Sequence, residues 1–284
     1  MKFLNRNLKV IISLLLVIAV VAAVSACGGK PVEESSSSSE EPSSQSEPSS
    51  ESESESAPEQ ELPENAPTES FMQKIVSAYA KNDDTVGWLY VPNTDIDESV
   101  VQAPDNDYYL RRNLQKTYDW YGCYFADYES ILTGGKISRN TIIYGHSMDD
   151  NPDGLKFSQL KKWLNIDFAQ QNPYLYFSTP EKDMVWKIFS VMYTSTKFNY
   201  VAADPNNTNF LNIINEARKA SQFNYDVDVN ATDNILTLST CTYVYGKENS
   251  SQRYVIMARL VRPGEEMPST ITLEKNPAPK QPVL

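Results

Sequence analysis

Residues 234–241 read NILTLSTC and residues 253–261 read RYVIMARLV. Both runs are short and rich in β-branched or aromatic residues, which is the texture of strands packed against a core. Alternate residues of an extended chain share a face, so Ile235, Thr237, Ser239 and Cys241 line up together. Working outward, six more runs of the same texture occur at residues 87–91, 99–102, 121–125, 141–146, 175–178 and 183–194. Pro-Asn, Gly-Gly and Asn-Pro breaks punctuate them. Eight candidate strands without a sequence repeat predict a mainly-β chain folded as a closed or nearly closed barrel.

Three helical patterns accompany the strands. Ser70 and Gln73 have the spacing of a capping box, followed by Phe71, Met72, Ile75, Val76 and Tyr79 as one apolar face. A second pattern covers about residues 155–164. A third runs from about Thr208 to Ser221, with Phe210, Leu211, Ile213, Ile214 and Ala217 as its stripe. From Pro263 on, five prolines and no long apolar run predict a Pro-rich tail over residues 263–284.

The charge of the chain is concentrated outside this part. Of 284 residues and a net charge of −12, residues 31–70 hold 12 Glu and 14 Ser with no Lys, Arg or Asp. Residues 1–30 carry four basic residues, which leaves 21 basic against 25 acidic beyond Ser70. A mildly acidic domain argues against nucleic acid as a partner, because phosphate binding needs a surplus of Lys and Arg. The 3 Cys are too few for a disulfide scaffold, and the single His excludes a His-rich metal site. Asp149, Asn151, Asp153 and Gly154 mimic half a calcium loop, but Leu160 stands where a bidentate Glu is required, so a turn capping the next helix is expected.

The N-terminus begins MKFLNRNLKV and continues as 17 largely apolar residues from Val10 to Ala26. This is the form of a secretory signal, and its length also reaches the lower limit for a spanning helix. Val24, Ser25, Ala26 and Cys27, followed by Gly28 and Gly29, resemble the lipobox of bacterial lipoproteins. In that family the Cys thiol, here Cys27, receives the lipid. Residues 1–27 are thus expected to be a signal peptide or an anchor, and either way the remainder faces the outside of the cell membrane. Residues 28–70 are Ser, Glu and Pro with little to bury, so they are expected to form a disordered spacer of roughly 35 Å r.m.s. span.

Two residues stand out chemically. Cys241 and His146 each end a strand-like run far apart in sequence, as a thiol nucleophile and its proton partner require. Gly145, beside His146, permits a close approach or a turn. Cys123 lies within another run and reads as a packed small hydrophobe.

The surrounding letters carry a resemblance. TLSTC (Thr237–Cys241) with Arg253 twelve residues on, and IIYGHSM (Ile142–Met148), resemble the signature segments of sortases. GWLYVPNTDID (Gly87–Asp97), QAPDNDYYL (Gln102–Leu110) and GCYFAD (Gly122–Asp127) are similar to class B of that family, over about residues 71–262. The resemblance implies an eight-stranded sortase-type β-barrel with an N-terminal helix and a helical insertion before the cysteine strand. It implies a cysteine transpeptidase without cofactor, with Cys241 as nucleophile, His146 as general acid and base, and Arg253 steadying the substrate oxyanion. It further implies substrate contacts from Asn106, Leu110, Tyr144 and Ser239. The implied partners are secreted proteins bearing a sorting signal and a peptidoglycan-precursor amine, with the membrane reached through the N-terminus.

Three points qualify that picture chemically. With ordinary pKa values of about 8.5 and 6.5, only roughly one molecule in a hundred carries both thiolate and imidazolium near pH 7.5. Some class B members have an acidic residue just after the nucleophile, whereas Thr242 and Tyr243 follow Cys241 here. A lipobox also differs from the usual sortase anchor, an uncleaved N-terminal helix. A pilin-polymerising sortase and a catalytically silent binding module on the same barrel are the alternative readings.

Overall fold

All eight expected strands form, and they close on themselves. The computed structural model describes residues 63, 66–67 and 69–284. The apolar N-terminal run, Cys27 and nearly all of the Ser/Glu/Pro stretch therefore lie outside the described residues. The barrel strands are β1 (Thr85–Tyr90), β2 (Asp97–Val101), β3 (Tyr124–Ala126), β6 (Asn140–Tyr144), β7 (Tyr174–Ser178), β8 (Val185–Ser195), β10 (Ile235–Cys241) and β11 (Gln252–Leu260). Their order around the barrel is β1-β2-β3-β6-β10-β11-β8-β7. The β2–β3 and β6–β10 pairs are parallel and the others antiparallel. Two short ladders have no counterpart in the sequence pattern: β4 (Leu132–Thr133) with β5 (Lys136–Ile137), and β9 (Phe223–Asn224) with β12 (Glu274–Lys275). Each has only two residues per strand, too short for alternation to register.

The period-2 pattern of β10 explains how the barrel is clothed. Leu236 and Leu238 point inward, into a core shared with Leu89, Ile143, Phe177 and Ile256. Ile235 points outward, beneath helix α3 (Asn207–Ala220), where Phe210, Ile213, Ile214 and Ala217 cover it as their spacing predicts. Leu211, included in that stripe, is instead 38% exposed. Asn206 caps α3 by accepting from the Asn209 N–H at 2.9 Å. Phe210 is wholly buried, so its truncation to Ala would cost about 3–5 kcal/mol.

The first helix, α1 (Met72–Tyr79), departs from expectation in two ways. Ser70 Oγ accepts from the Met72 N–H at 3.2 Å and the helix N-cap, Phe71, makes no side-chain cap bond, so the capping box does not form. Its buried face is Phe71, Ile75 and Ala78, an i, i+4, i+7 line, while Met72 and Val76 lie exposed. The pattern at 155–164 winds as a 3-10 segment, Lys156–Leu164, followed by α2 (Ile166–Gln171). No side chain caps that segment; the Phe157 N–H instead donates to the His146 carbonyl at 2.9 Å. Asp149 and Asn151 spend their side chains on Asx turns, accepting from the Asn151 and Asp153 N–H groups.

Residues 263–284 wrap back over the barrel. Met267 and Leu273 are buried, β12 pairs with β9, and Ser195 Oγ donates to the Val283 carbonyl at 2.6 Å. Among the described residues no helix is long and apolar enough to cross a membrane.

Candidate active site

Cys241 ends the outward face of β10. Ile235 on that face is covered by α3, Thr237 donates to Asn140 Oδ1 at 2.7 Å, and Ser239 Oγ lies 2.9 Å from Tyr200 OH. Two positions further on, the cover ends and Cys241 is half-buried at the rim. The neighbouring strand is held close: Thr240 Oγ1 donates to the Gly145 carbonyl at 2.7 Å. Gly145 is required for this approach. A Cβ there would stand 2.7 Å from both the Phe157 and Tyr124 rings, a contact real Cβ atoms do not make.

His146 lies two residues beyond the end of β6 and not inside the strand as its sequence suggested. Its Nε2 is 2.7 Å from the Leu110 carbonyl and 3.0 Å from Arg111 Nη1. The carbonyl can only accept and the guanidinium only donate, so Nε2 bonds one or the other: protonated it donates to Leu110, unprotonated it accepts from Arg111. Arg111 also donates to the Trp120 carbonyl at 2.5 Å and stacks 4.3 Å from the Trp120 ring centre. Burial, and after it the Arg111 charge, hold the His146 pKa below its ordinary 6.5, while the Leu110 carbonyl pulls the other way.

Arg253 is the direct cross-strand partner of Cys241 in the β10–β11 ladder. Its Nη1 donates to the Ser250 and Gln252 carbonyls at 2.7 and 2.8 Å, which steadies the guanidinium at the mouth of the connecting loop. Cys241, His146 and Arg253 border one cavity of about 300 Å³, and Asn106, Leu110, Tyr144 and Ser239 line it as well. The three expected reacting residues and the four expected substrate contacts thus meet in one cleft. Phe198, Tyr200 and Val201, on the loop between β8 and α3, form its further wall.

Several contributors have no sequence signal of their own. Asp127, 3% exposed, accepts from Asn106 Nδ2 at 2.9 Å and Tyr144 OH at 2.8 Å through the same oxygen. It fixes the floor of the cleft and occupies polar groups that the resemblance assigns to substrate. Burial, with the Asp127 charge second, holds the Tyr144 phenol far above its ordinary range. Arg111 and Tyr200 are likewise silent in the sequence. Arg111 follows Leu110 directly, and a cation adjoining an expected substrate contact is the one clue available. Cys123 is buried and both it and Cys241 are free, so no disulfide blocks the thiol.

Comparison with known proteins agrees with this geometry. Residues 89–261 match the sortase family, described as a sortase domain. Sortase B of Listeria monocytogenes is 36% identical over 181 residues, covering 63% of this chain and 71% of that protein. A solved Staphylococcus aureus sortase B–substrate complex superposes with a TM-score of 0.60 at 28% identity, covering 68% of this chain and 87% of the other. A sortase B complexed with triglycine gives the same TM-score at 29% identity, over 68% and 88% of the two chains. With more than half its length matched and its relatives drawn from class B, the chain belongs to the sortase family of cysteine transpeptidases.

Proposed function

We propose that this transpeptidase cuts the C-terminal sorting signal of secreted proteins through a thioacyl-enzyme on Cys241 and passes the acyl group to a peptidoglycan-precursor amine. The observation that carries this reading is the meeting of Cys241, His146 and Arg253 at the rim of one cleft. The related proteins captured with a substrate and with triglycine support a peptide donor and an amine acceptor.

The Cys241 thiolate attacks the scissile carbonyl, forming a C–S bond and an oxyanion that the Arg253 guanidinium stabilises. Collapse breaks the C–N bond, and the His146 imidazolium gives its proton to the departing amine. The acceptor amine then attacks the thioester, returns a proton to His146 and releases the thiolate. In the imidazolium that protonates the departing amine both ring nitrogens are protonated, and Nε2 then donates to the Leu110 carbonyl. A depressed His146 pKa makes the imidazolium scarcer near neutrality, so slow turnover is expected. Asn106, Leu110, Tyr144 and Ser239 would contact the signal, with the chain held at the outer face of the membrane by its N-terminus or by lipid on Cys27.

The test is to mix the full chain with sorting-signal peptides and no amine, then seek a hydroxylamine-labile adduct by intact mass spectrometry. An adduct in wild type and none in Cys241→Ala is expected, and the productive peptide names the motif. Transfer to a pilin Lys in place of a peptidoglycan amine would identify a pilin-polymerising enzyme. No adduct with a folded, reduced protein would leave a binding module. Lipid labelling lost in Cys27→Ser would settle the anchor.

A further inference from the structure

Lys161 is a buried charge that the chemistry above leaves unused. Its side chain is 1% exposed, yet its ammonium reaches Asp150 Oδ1 at 3.2 Å, the Asp149 carbonyl at 3.1 Å, the Cys241 carbonyl at 3.3 Å and Ser147 Oγ. The same nitrogen lies 5.9 Å from the Tyr254 ring centre. Burying an ammonium is costly unless every donor is used, and replacing a whole buried ion pair by apolar residues of similar volume is often as good or better for stability alone. Three donors here meet four oxygens and a ring face, a set built to hold the charge. Burial pushes the Lys161 ammonium below its ordinary pKa, and Asp150 leads the opposing influences, with Cys241 among them.

The position of this group follows from the 3-10 segment Lys156–Leu164. Phe157, Leu160 and Trp163 anchor it in the core, and Lys161 is carried between the two loops that bear the reacting side chains. Ser147, Asp149 and Asp150 belong to the loop that follows His146. Asp150 continues the connection: Oδ1 accepts from Thr242 Oγ1 and Oδ2 from the Tyr243 N–H, both at 2.8 Å. Tyr243 OH closes the circuit by donating to the Ser147 carbonyl at 3.2 Å. The carboxylate missing from the two positions after Cys241 is thus delivered from the other loop, and Lys161 is the centre it pivots on.

We propose that Lys161 is a positioning residue for acyl transfer: paired with Asp150, it locks the Cys241 carbonyl and the Thr242–Tyr243 turn and so sets the thiol against His146. The proposal rests on Cys241 being the nucleophile. A displacement of about 1 Å at a reacting atom can cost about 100-fold in rate.

The test compares full-length wild type, Lys161→Met, Asp150→Asn and the double variant for acylation by the productive peptide. Lys161→Met should slow acylation about 10- to 100-fold at unchanged KM, with Tm lowered, since Asp150 and the Asp149 and Cys241 carbonyls lose their cation; the rate loss at unchanged KM is what a merely structural role would not produce. Asp150→Asn should slow it in the same way, and the double variant should be no slower than the worse single one, as expected for parts of one clamp. A folded Lys161→Met that acylates at the wild-type rate overturns the proposal and leaves Cys241 as the nucleophile. A loss expressed only in KM overturns it too, and no adduct in wild type overturns both readings. Should Lys161→Met fail to fold, Asp150→Asn carries the comparison alone, and wild-type acylation there overturns the proposal.

Discussion

Cys241 and Arg253 face each other as a cross-strand pair at the end of the β10–β11 ladder. Side chains directly opposite on antiparallel strands share a face, with Cβ atoms about 4.5–5.5 Å apart. The sheet thus brings both side chains to one face, and the Ser250 and Gln252 carbonyls hold the guanidinium there. Arg253→Ala should lower kcat for acylation by about 10²–10³, the usual effect of removing one oxyanion donor. Tm should move by no more than a few degrees, because the side chain is half-exposed and bonds only to backbone carbonyls at the start of β11 and in the loop before it. Single-turnover kinetics beside a thermal melt check both.

The chain has a single histidine, so its ring proton resonances in an NMR titration are unambiguous. The midpoint for His146 is expected below 6.5, since burial and Arg111 both disfavour its charged form. Activity that needs the imidazolium should fall as pH rises through that midpoint. In Arg111→Gln the midpoint should move upward, because the neighbouring positive charge is gone. An unchanged midpoint would show that Arg111 does not act on the ring.

The two cysteines of the domain should differ sharply toward an alkylating reagent. Burial pushes the Cys123 thiol up to about 12, whereas Cys241 opens on the cleft. Iodoacetamide at pH 8, followed by peptide mapping, should modify Cys241 and leave Cys123 intact in the native protein. In denaturant the two should react alike.

Acid stability should depend on Glu265. Burial alone would raise its carboxyl, but Arg259, the Arg262 N–H and Lys187 together hold it at about 2 against an ordinary 4.5. A depressed native pKa stabilises the fold above the unfolded value and loses that effect as pH falls. The contribution, on the order of 3 kcal/mol, should be complete above about pH 4.5 and lost toward pH 2. Urea melts of wild type and Glu265→Gln across that window should converge as the pH drops.

The tail offers a further check. Val283 is bonded to Ser195, Tyr245 OH donates to Gln281 Oε1, and Lys197 reaches the Leu284 carbonyl. These contacts brace the start of the loop whose Phe198 and Tyr200 wall the cleft. Removing residues 277–284 should raise KM for the peptide several-fold through ordering entropy lost from that wall, with kcat much less affected. Peptide titrations of the two chains would show it.

Much of this architecture can be read from the letters, for identifiable reasons. Eight strands are legible because β10 and its neighbours alternate over five or more residues or pack as continuous apolar runs. α3 is legible from Phe210, Ile213, Ile214 and Ala217. Cys241, His146 and Arg253 stand out because rare residue types sit in signature segments. Asp127 and Lys161 do not, since an ordinary Asp or Lys becomes informative only when folding buries it beside specific oxygens. Residues 263–284 read as a tail because Pro suppresses periodic patterns, yet isolated residues such as Met267 and Leu273 suffice to dock it.

The parallel pairing of β6 with β10 has a kinetic consequence. Gly145 and Thr240, which join the ends of these strands, are 95 residues apart in the chain. Two further barrel strands, the 3-10 segment and α3 lie between them in sequence, and such non-local closure is slow. The cleft therefore exists only once that long-range pairing has formed. An unfolded chain carries Cys241 with no histidine held near it, so the proposed reaction depends on the fold being complete.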